Sequence, residues 1–172
     1  MSRFDYDRGF TSGSTLSTAA TIDTGGVTEP APQVVYQTAR SSPGSYTLRG
    51  LTAGASYSLR LHFAELENRV EGQRRFHVDV NGQRVLENFD VVAVAGAQNR
   101  AVVREFPATA DAEGTVQVAF SWGNWYPVIN GIELLSGSEV IQAINAGLLA
   151  GGTITINPSE FENHGQIQVS GG

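Results

Sequence analysis

The sequence contains no cysteine and no lysine. Without cysteine the chain has no disulfide, no thiolate metal ligand and no cysteine nucleophile, so its fold rests on a packed core, which 172 residues are enough to bury. All 11 cationic side chains are arginines, scattered along a chain whose net charge is -6. A chain of this kind cannot form the basic stripe that follows a phosphate backbone, which excludes nucleic acid as an expected partner.

Charged residues and long apolar runs are also scarce. Charged residues make up 16% of the chain, against about a quarter in typical domains, and there are 20 glycines, a composition that favours strands and turns. No apolar run approaches the roughly 18 residues that span a bilayer, and the opening stretch MSRFDYDRGF has no hydrophobic signal core. We expect no membrane insertion, and either a cytosolic chain or a segment of a longer exported polypeptide.

The clearest local pattern is the stretch YSLRLHFAE. Its apolar side chains alternate with polar ones at the two-residue period of a strand, which predicts a half-buried antiparallel strand. Tyr57, Leu59, Leu61 and Phe63 point to one face, and Ser58, Arg60 and His62 point to the other.

Further strands follow in short runs. Asn81-Gly82 separates two alternating runs and predicts a type I′ hairpin, because both residue types tolerate positive φ. Strands are also predicted for five further runs, QVVYQT, SYTLRGL, AVVREFPATA, TVQVAFSW and VINGIELL. Residues 1–32 are predicted to be ordered loop. SEVIQAINAGLLA fits helical and strand spacing alike. Short strands joined by glycine-rich turns predict an all-β sandwich.

Several of these stretches resemble one known family. The order and spacing of the malectin-like carbohydrate-binding domain are followed by four stretches, VVYQTAR, YTLRGLTAGASYSLRLHFAE, GQRRFHVDVNGQRVLENFDV and VINGIELL. A fifth, FDYDRGFTSGST, is similar to the early loop of that domain. The bacterial form is also classed as a family 57-type carbohydrate-binding module. The resemblance covers Phe4 to Leu135. It implies an antiparallel Greek-key sandwich, jelly-roll-like, that binds glucose-containing oligosaccharides through loops at one end, without catalysis and without a cofactor.

One family element is displaced. The family's first strand, which reads much like AINAGG and pairs beside the last strand, is absent before Phe4, whereas QAINAG occurs at 142–147. Either this strand opens another repeat, or it completes this domain by circular permutation. We favour the second alternative, because an uncovered sheet edge promotes aggregation. The predicted domain is then 4–147, its first family strand supplied by 140–147.

The remaining residues, 148–172, form a predicted tail. Its runs at 153–157 and 166–170 read as two short strands. They resemble a turn of the β-solenoid repeats of large filamentous adhesins, or they complete the sandwich.

The family's sugar-contacting positions carry other residues in this chain. The family's aromatic residue after the YQTxR arginine is replaced by Ser41, and its aromatic pair after FAE is replaced by Glu67 and Asn68. The family's contacting aspartate aligns near Trp125. The loop SWGNWYP offers a replacement. The strand period places Trp122 mainly in the core. The predicted ligand site has Trp125 and Tyr126 as stacking surfaces, Glu67 and Asn68 as hydrogen-bonding partners, and Ser41 at the rim.

Two carboxylates near this site invite a catalytic interpretation, because glycoside hydrolysis uses a pair of them. We instead expect Glu65 to pair with an arginine such as Arg40, or with backbone, and expect no enzyme activity. Asp5 and Asp7 could bind a structural calcium ion, but we favour a domain without a metal.

The three histidines do not suggest a metal site. His62 and His77 are expected to meet as a cross-strand pair, which lacks the further ligand that a metal needs, and His164 is distant in sequence.

The sequence therefore predicts a non-catalytic, lectin-like module, monomeric within a larger exported bacterial protein and secreted or held at the cell surface. Carbohydrate is its expected partner. The alternative is a structural or adhesive spacer of a surface adhesin that has lost its sugar site and contacts protein or nothing. The substituted contact positions favour that alternative.

Overall fold

The computed structural model describes residues 4–11 and 13–149. These ranges contain short strands and two brief helices, which are, in chain order, β1 Ser14–Ser17, α1 Gln33–Tyr36, β2 Thr38–Ser41, β3 Gly44–Leu48, β4 Ser56–Phe63, β5 Phe76–Val80, β6 Gln83–Phe89, α2 Val91–Ala95, β7 Val102–Thr109, β8 Val116–Trp122, β9 Val128–Ile129, β10 Gly131–Ser136 and β11 Glu139–Asn145. Neither helix, nor any other in the described ranges, has the length and apolar character required to cross a membrane.

Two four-stranded antiparallel sheets enclose the main core. Their strand orders are β11-β10-β4-β7 and β3-β8-β5-β6, and a smaller sheet has the order β1-β2-β9. Leu59 and Leu134 of the first large sheet and Val78 and Val118 of the second belong to one buried cluster. Because both sheets contribute to that cluster, the architecture is the antiparallel β-sandwich that the strand pattern predicted.

The Asn81-Gly82 hairpin is confirmed. These residues have φ of 50° and 78°, so both lie in the left-handed region that a type I′ turn requires. The turn joins β5 to β6, and Val80 pairs with Gln83 across it.

Strand β4 is buried on both faces, not on one. Leu59, Leu61 and Phe63 point into the core as predicted, but Arg60 and His62 are also buried, with 7% and 0% exposure. The early part of the chain covers that second face. Arg60 Nη2 donates to two carbonyl oxygens of this segment, at 3.0 and 3.1 Å, and the Tyr36 hydroxyl lies 2.9 Å from His62 Nδ1. The half-buried prediction is therefore wrong, because a segment distant in sequence packs on the polar side.

The stretch QVVYQT begins with the helical turn α1, and its prediction as a strand is wrong. Pro32 precedes the turn with φ of -54°, a value compatible with helix entry, and Gln33 exchanges two side-chain hydrogen bonds with the backbone of Ile22. Val35 and Tyr36 are buried in a second apolar cluster. These tertiary contacts override the strand preference of the two residues.

Residues 139–145 form a strand, β11, in the stretch that also allowed a helix. β11 pairs with β10 in antiparallel register, Gly131 opposite Asn145. On its other side, the amide of Asp5 donates to the Ala143 carbonyl at 2.9 Å and the amide of Asn145 donates to the Asp5 carbonyl at 2.8 Å. The early chain thus borders one end of β11. The strands predicted at 153–157 and 166–170 lie outside the described residues.

Candidate functional site

Three aromatic side chains lie together where β8 ends. Trp122, Trp125 and Tyr126 have exposed fractions of 49%, 42% and 42%. The ring centroids of Trp122 and Tyr126 are 4.1 Å apart with planes at 44°, and those of Trp125 and Tyr126 are 6.2 Å apart with planes at 88°. We call these three residues the aromatic platform. Because its rings are not coplanar, the platform presents more than one apolar facet to solvent.

The expectation that Trp122 lies mainly in the core is wrong. Val116, Val118 and Phe120 are buried at alternate positions of β8, and Trp122 continues that register. The Trp122 side chain is nevertheless 49% exposed, although its cross-strand partner Phe76 is buried. The Trp122 ring packs on Tyr126 instead, which makes it part of the platform.

The loop that follows Trp122 is shaped by hydrogen bonds to residues 72–75. The amides of Gly123 and Asn124 donate to the Arg75 carbonyl at 3.1 and 3.0 Å. The Asn124 side chain accepts from the Arg75 amide at 2.7 Å and donates to the Gly72 carbonyl at 2.8 Å. A β-carbon at position 123 would lie 2.4 Å from the Arg75 carbonyl oxygen, so this close approach requires glycine.

A buried arginine connects this loop with the segment after β4. Arg74 is 2% exposed, and its Nε donates to Glu65 Oε2 at 2.7 Å. Its Nη1 donates to the Tyr126 carbonyl at 2.7 Å, and its Nη2 pairs with Glu67. The suggested partner of Glu65 was therefore wrong, since Arg40 pairs with Asp7. The expected backbone contact is present, because Glu65 Oε1 accepts from the Glu67 amide at 3.0 Å.

A second arginine covers part of the platform. The Arg69 guanidinium lies 4.7 Å from the centroid of a Trp125 ring, which is within cation–π range. Its Nη2 and Nε lie 3.2 and 3.4 Å from Glu67 Oε2. Sequence reasoning missed both Arg69 and Arg74, because neither stands at a family contact position or in the loop SWGNWYP.

The structure brings four of the five predicted site residues to one region. Glu67 is linked to Trp125 through Arg69 and to Tyr126 through Arg74, and Asn68 is an exposed residue between Glu67 and Arg69. Ser41 is more peripheral. It is half-buried at the end of β2 and pairs with Val128, two residues beyond Tyr126.

The two carboxylates considered for acid–base chemistry are both bound by arginine. The side chain of Glu65 is 1% exposed and is held by Arg74, so a surface ligand cannot reach it. Glu67 is engaged by Arg69 and Arg74. What the site offers is apolar ring area with neighbouring polar groups, which suits binding more than catalysis.

The two histidines in the strands do not meet, contrary to expectation. His62 lies on β4 and His77 on β5, and these strands belong to different sheets. His62 Nε2 is 2.9 Å from Glu133 Oε2, whereas His77 Nδ1 accepts from the Asn88 amide at 3.1 Å. The error has a simple cause, because the strand order across the sandwich does not follow the chain order. His164 lies outside the described residues.

Asp7 forms a network of hydrogen bonds where a calcium site was considered. Its carboxylate accepts from Arg40 Nε at 2.9 Å, from the Tyr46 hydroxyl at 2.8 Å and from the Gly147 amide at 2.9 Å. Asp5 instead pairs with Arg8 at the surface. Within 4–11 and 13–149, no three His, Cys, Asp or Glu side chains are grouped as a metal would need. Burial and the nearby Asp7 carboxylate raise the pKa of Tyr46 well above its usual range.

Comparison with known proteins identifies a family for this chain and structures with a similar fold. A model of the Malectin domain matches residues 2–144. A probable receptor-like protein kinase of Arabidopsis thaliana is 29% identical over 129 residues, covering 70% of this chain and 15% of the relative. The crystal structure of the ANX2 ectodomain from Arabidopsis thaliana is similar with a TM-score of 0.65 at 21% identity, covering 73% of this chain and 41% of the other.

A further similar structure is that of the plant peptide RALF23 in complex with FER and LLG2, with a TM-score of 0.61 at 20% identity, covering 73% of this chain and 40% of the other. At these identities the structural likeness concerns the fold alone. The family model covers most of the chain, and the antiparallel sandwich agrees with it: the chain belongs to the malectin domain family.

Proposed function

We propose that this chain is a non-catalytic carbohydrate-binding module that takes glucose-type oligosaccharides or polysaccharides on the aromatic platform. The observation that carries the proposal is the contact of Trp122, Trp125 and Tyr126 at one end of the sandwich, each 42% to 49% exposed. Clusters of large exposed aromatic rings are uncommon on the surfaces of monomeric proteins, and they commonly mark a binding surface.

The chemistry of the site matches a sugar. The C–H face of a pyranose ring packs on an aromatic face, while its hydroxyl groups need donors and acceptors at the edge of that face. The exposed side chain of Asn68 and the half-exposed carboxylate of Glu67 offer such groups, and Glu67 is linked to Trp125 through Arg69. Arg69 occupies one side of the indole, so the sugar would use the uncovered surface of Trp125 and the facet formed by Trp122 and Tyr126.

The wider setting is part of the proposal. The matched region is 15% of the receptor-like kinase and 41% of the ANX2 ectodomain, so this chain corresponds to one part of longer proteins. We propose that it works as a module of a larger exported bacterial protein, secreted or at the cell surface. Binding at one open site is weak, and repetition in the parent chain would raise its avidity.

We also propose that β11 takes the place of the family's displaced first strand. Its pairing with β10 and the contact between Asp7 and the Gly147 amide support closure of the domain within one chain. On this proposal the domain comprises residues 4–147, and 148–172 either completes it or begins a following repeat.

A glycan array followed by calorimetry tests the sugar-binding proposal. Wild-type protein should bind glucose-containing glycans, and Trp125→Ala and Trp122→Ala should each weaken binding at least about fivefold, because stacking on one aromatic ring contributes on the order of 1 kcal/mol or more. Tyr6→Ala is the matched control, since Tyr6 is 51% exposed and lies outside the platform. A wild type that binds no glycan on the array rejects the proposal, and unchanged binding by both tryptophan variants rejects the site.

A spacer or protein-contacting role is the second candidate. It is favoured by the substituted family positions and by the engagement of Glu67 with two arginines, which leaves fewer free groups for sugar hydroxyls. The similar structure that holds RALF23, FER and LLG2 is a precedent for a peptide complex in a protein with this fold. If the array is blank, and crosslinking through the platform captures a defined peptide or protein, this second role replaces the first.

A further inference from the structure

We propose that Arg74 is the positioning residue of the sugar site. It holds the aromatic platform at the Tyr126 backbone and, through Glu67 and Arg69, at Trp125. This inference rests on the proposed function for its role in binding. Its structural part, the dependence of the platform on one guanidinium, stands independently of any ligand.

The contacts of Arg74 join three separate segments. The residue itself lies two positions before β5, its Nε and Nη2 reach Glu65 and Glu67 after β4, and its Nη1 reaches the Tyr126 carbonyl in the platform loop. The side chain is 2% exposed. Arg74 therefore cannot contact a surface ligand directly and acts through its partners.

Each partner controls one part of the platform. Glu67, held by Arg74, in turn pairs with Arg69, and Arg69 lies over a Trp125 ring at 4.7 Å. The bond to the Tyr126 carbonyl fixes the backbone that carries the Tyr126 ring, which packs on Trp122 at 4.1 Å. One guanidinium thus sets the orientation of all three rings.

Only an arginine can make this set of contacts. The planar guanidinium presents donors in fixed directions, so it serves two carboxylates and a carbonyl at once, whereas a lysine ammonium is a compact point charge. The neighbouring backbone adds to the arrangement, since the Arg75 carbonyl accepts from the amides of Gly123 and Asn124 at 3.1 and 3.0 Å. Loss of the Arg74 fork is expected to loosen the loop without removing a core side chain.

The test uses Arg74→Lys in the full chain, measured in two ways. Hydrogen exchange of the amides of Gly123, Asn124 and Trp125, without ligand, should be at least about tenfold faster in the variant, while amides of β4 and β10 keep wild-type protection. Calorimetric titration with maltotriose and with laminaritriose should show affinity at least about tenfold lower. Arg84→Lys is the matched control, because Arg84 pairs with Asp79 on an exposed hairpin and should change neither measurement.

The outcomes separate the possible roles. Faster exchange throughout the sandwich would show a general structural role and overturn the inference, and so would an unchanged platform loop with affinity within twofold of wild type. If wild-type protein binds neither trisaccharide and no glycan on the array, the proposed function fails, while loop exchange still decides the role of Arg74. If Arg74→Lys does not fold, the double variant Glu65→Gln, Arg74→Met removes both buried charges, and the same exchange comparison is made on it.

Discussion

The hydroxyl of Tyr36 lies 2.9 Å from Nδ1 of His62, on the face of β4 that the early chain covers. His62 Nε2 faces Glu133 Oε2 at 2.9 Å, and Arg60 Nη1 donates to the same oxygen at 3.0 Å. His62 thus bridges the Tyr36 hydroxyl and the Glu133 carboxylate. This buried row of polar groups attaches α1 to the sheet.

Alkaline pH should weaken this attachment. Burial raises the pKa of Tyr36 from 10.0 to about 12. Between these values the folded state holds a proton that the unfolded state has released, so the stabilisation is complete below pH 10 and is lost as the pH rises toward 12. The loss from this group by pH 12 should be about 2 kcal/mol. Urea denaturation of wild type at intervals from pH 7 to 12 measures the combined loss from Tyr36 and from Tyr46, whose pKa is also raised.

The variant Tyr36→Phe isolates that contribution. At pH 7 it should be less stable than wild type by about 1 to 3 kcal/mol, because His62 Nδ1 loses its buried partner. Since phenylalanine does not titrate, the stability difference between the two proteins should shrink above pH 10. A difference that stays constant up to pH 12 would contradict the assigned cause.

Asn130 should be among the most sensitive polar positions. It is fully buried, and its Oδ1 accepts from the Ala64 amide at 2.7 Å while its Nδ2 donates to the carbonyls of Tyr36 and Thr38, both at 2.9 Å. Asn130→Ala leaves these groups without partners and should cost about 2 to 4 kcal/mol of unfolding free energy. Exposed Asn68→Ala is the control and should stay within about 0.5 kcal/mol. Equal melting temperatures for the two variants would refute this account.

Replacing Gly123 tests the close approach in the platform loop. Gly123→Ala places a carbon 2.4 Å from the Arg75 carbonyl oxygen, so the loop must shift, at an expected cost of about 1 to 3 kcal/mol. Sugar affinity should fall together with stability. Gly26→Ala serves as the control, because a β-carbon there meets nothing within 4 Å. Calorimetric unfolding and glycan titration on both variants decide the matter, and a Gly123→Ala protein equal to the control would count against the loop geometry.

Truncation separates closure by β11 from its role in another repeat. A chain ending at Ser138 loses the partner of β10 and the contact of Asp7 with the Gly147 amide, so it should aggregate or unfold. A chain ending at Leu149 keeps β11 and should melt within a few degrees of the full chain. Light scattering and thermal unfolding compare them. A chain ending at Ser138 that remains monomeric with an unchanged melting temperature would favour the repeat.

Local rules predicted local structure well in this protein. The Asn81-Gly82 turn followed from the φ that its residue types tolerate, and the strands on either side followed from alternation. The core face of β4 was predictable for the same reason. Each of these features depends on neighbours along the chain.

Features that depend on distant segments were not predictable in this way. Alternation tells which side chains of β4 share a face, but not that a segment some thirty residues away covers Arg60 and His62. It places Trp122 in register with the buried side chains of β8, but does not show that its ring packs on Tyr126. The partner of Glu65 was missed because Arg74 lies in a loop, where no periodic pattern gives the direction of a side chain.

The grouping of both tryptophans has a spectroscopic consequence. The chain has two tryptophans and five tyrosines, and both indoles belong to the platform, Trp122 at the end of β8 and Trp125 in the loop that follows it. Excitation at the long-wavelength edge of tryptophan absorption, where tyrosine does not absorb, therefore reports on the platform alone. Tyrosine signals, in contrast, include Tyr36 and Tyr46 in the interior. Each half-exposed indole is accessible to a soluble quencher. The protein thus contains an intrinsic fluorophore at the proposed site, which distinguishes occupancy of the loop from unfolding of the sandwich without any label.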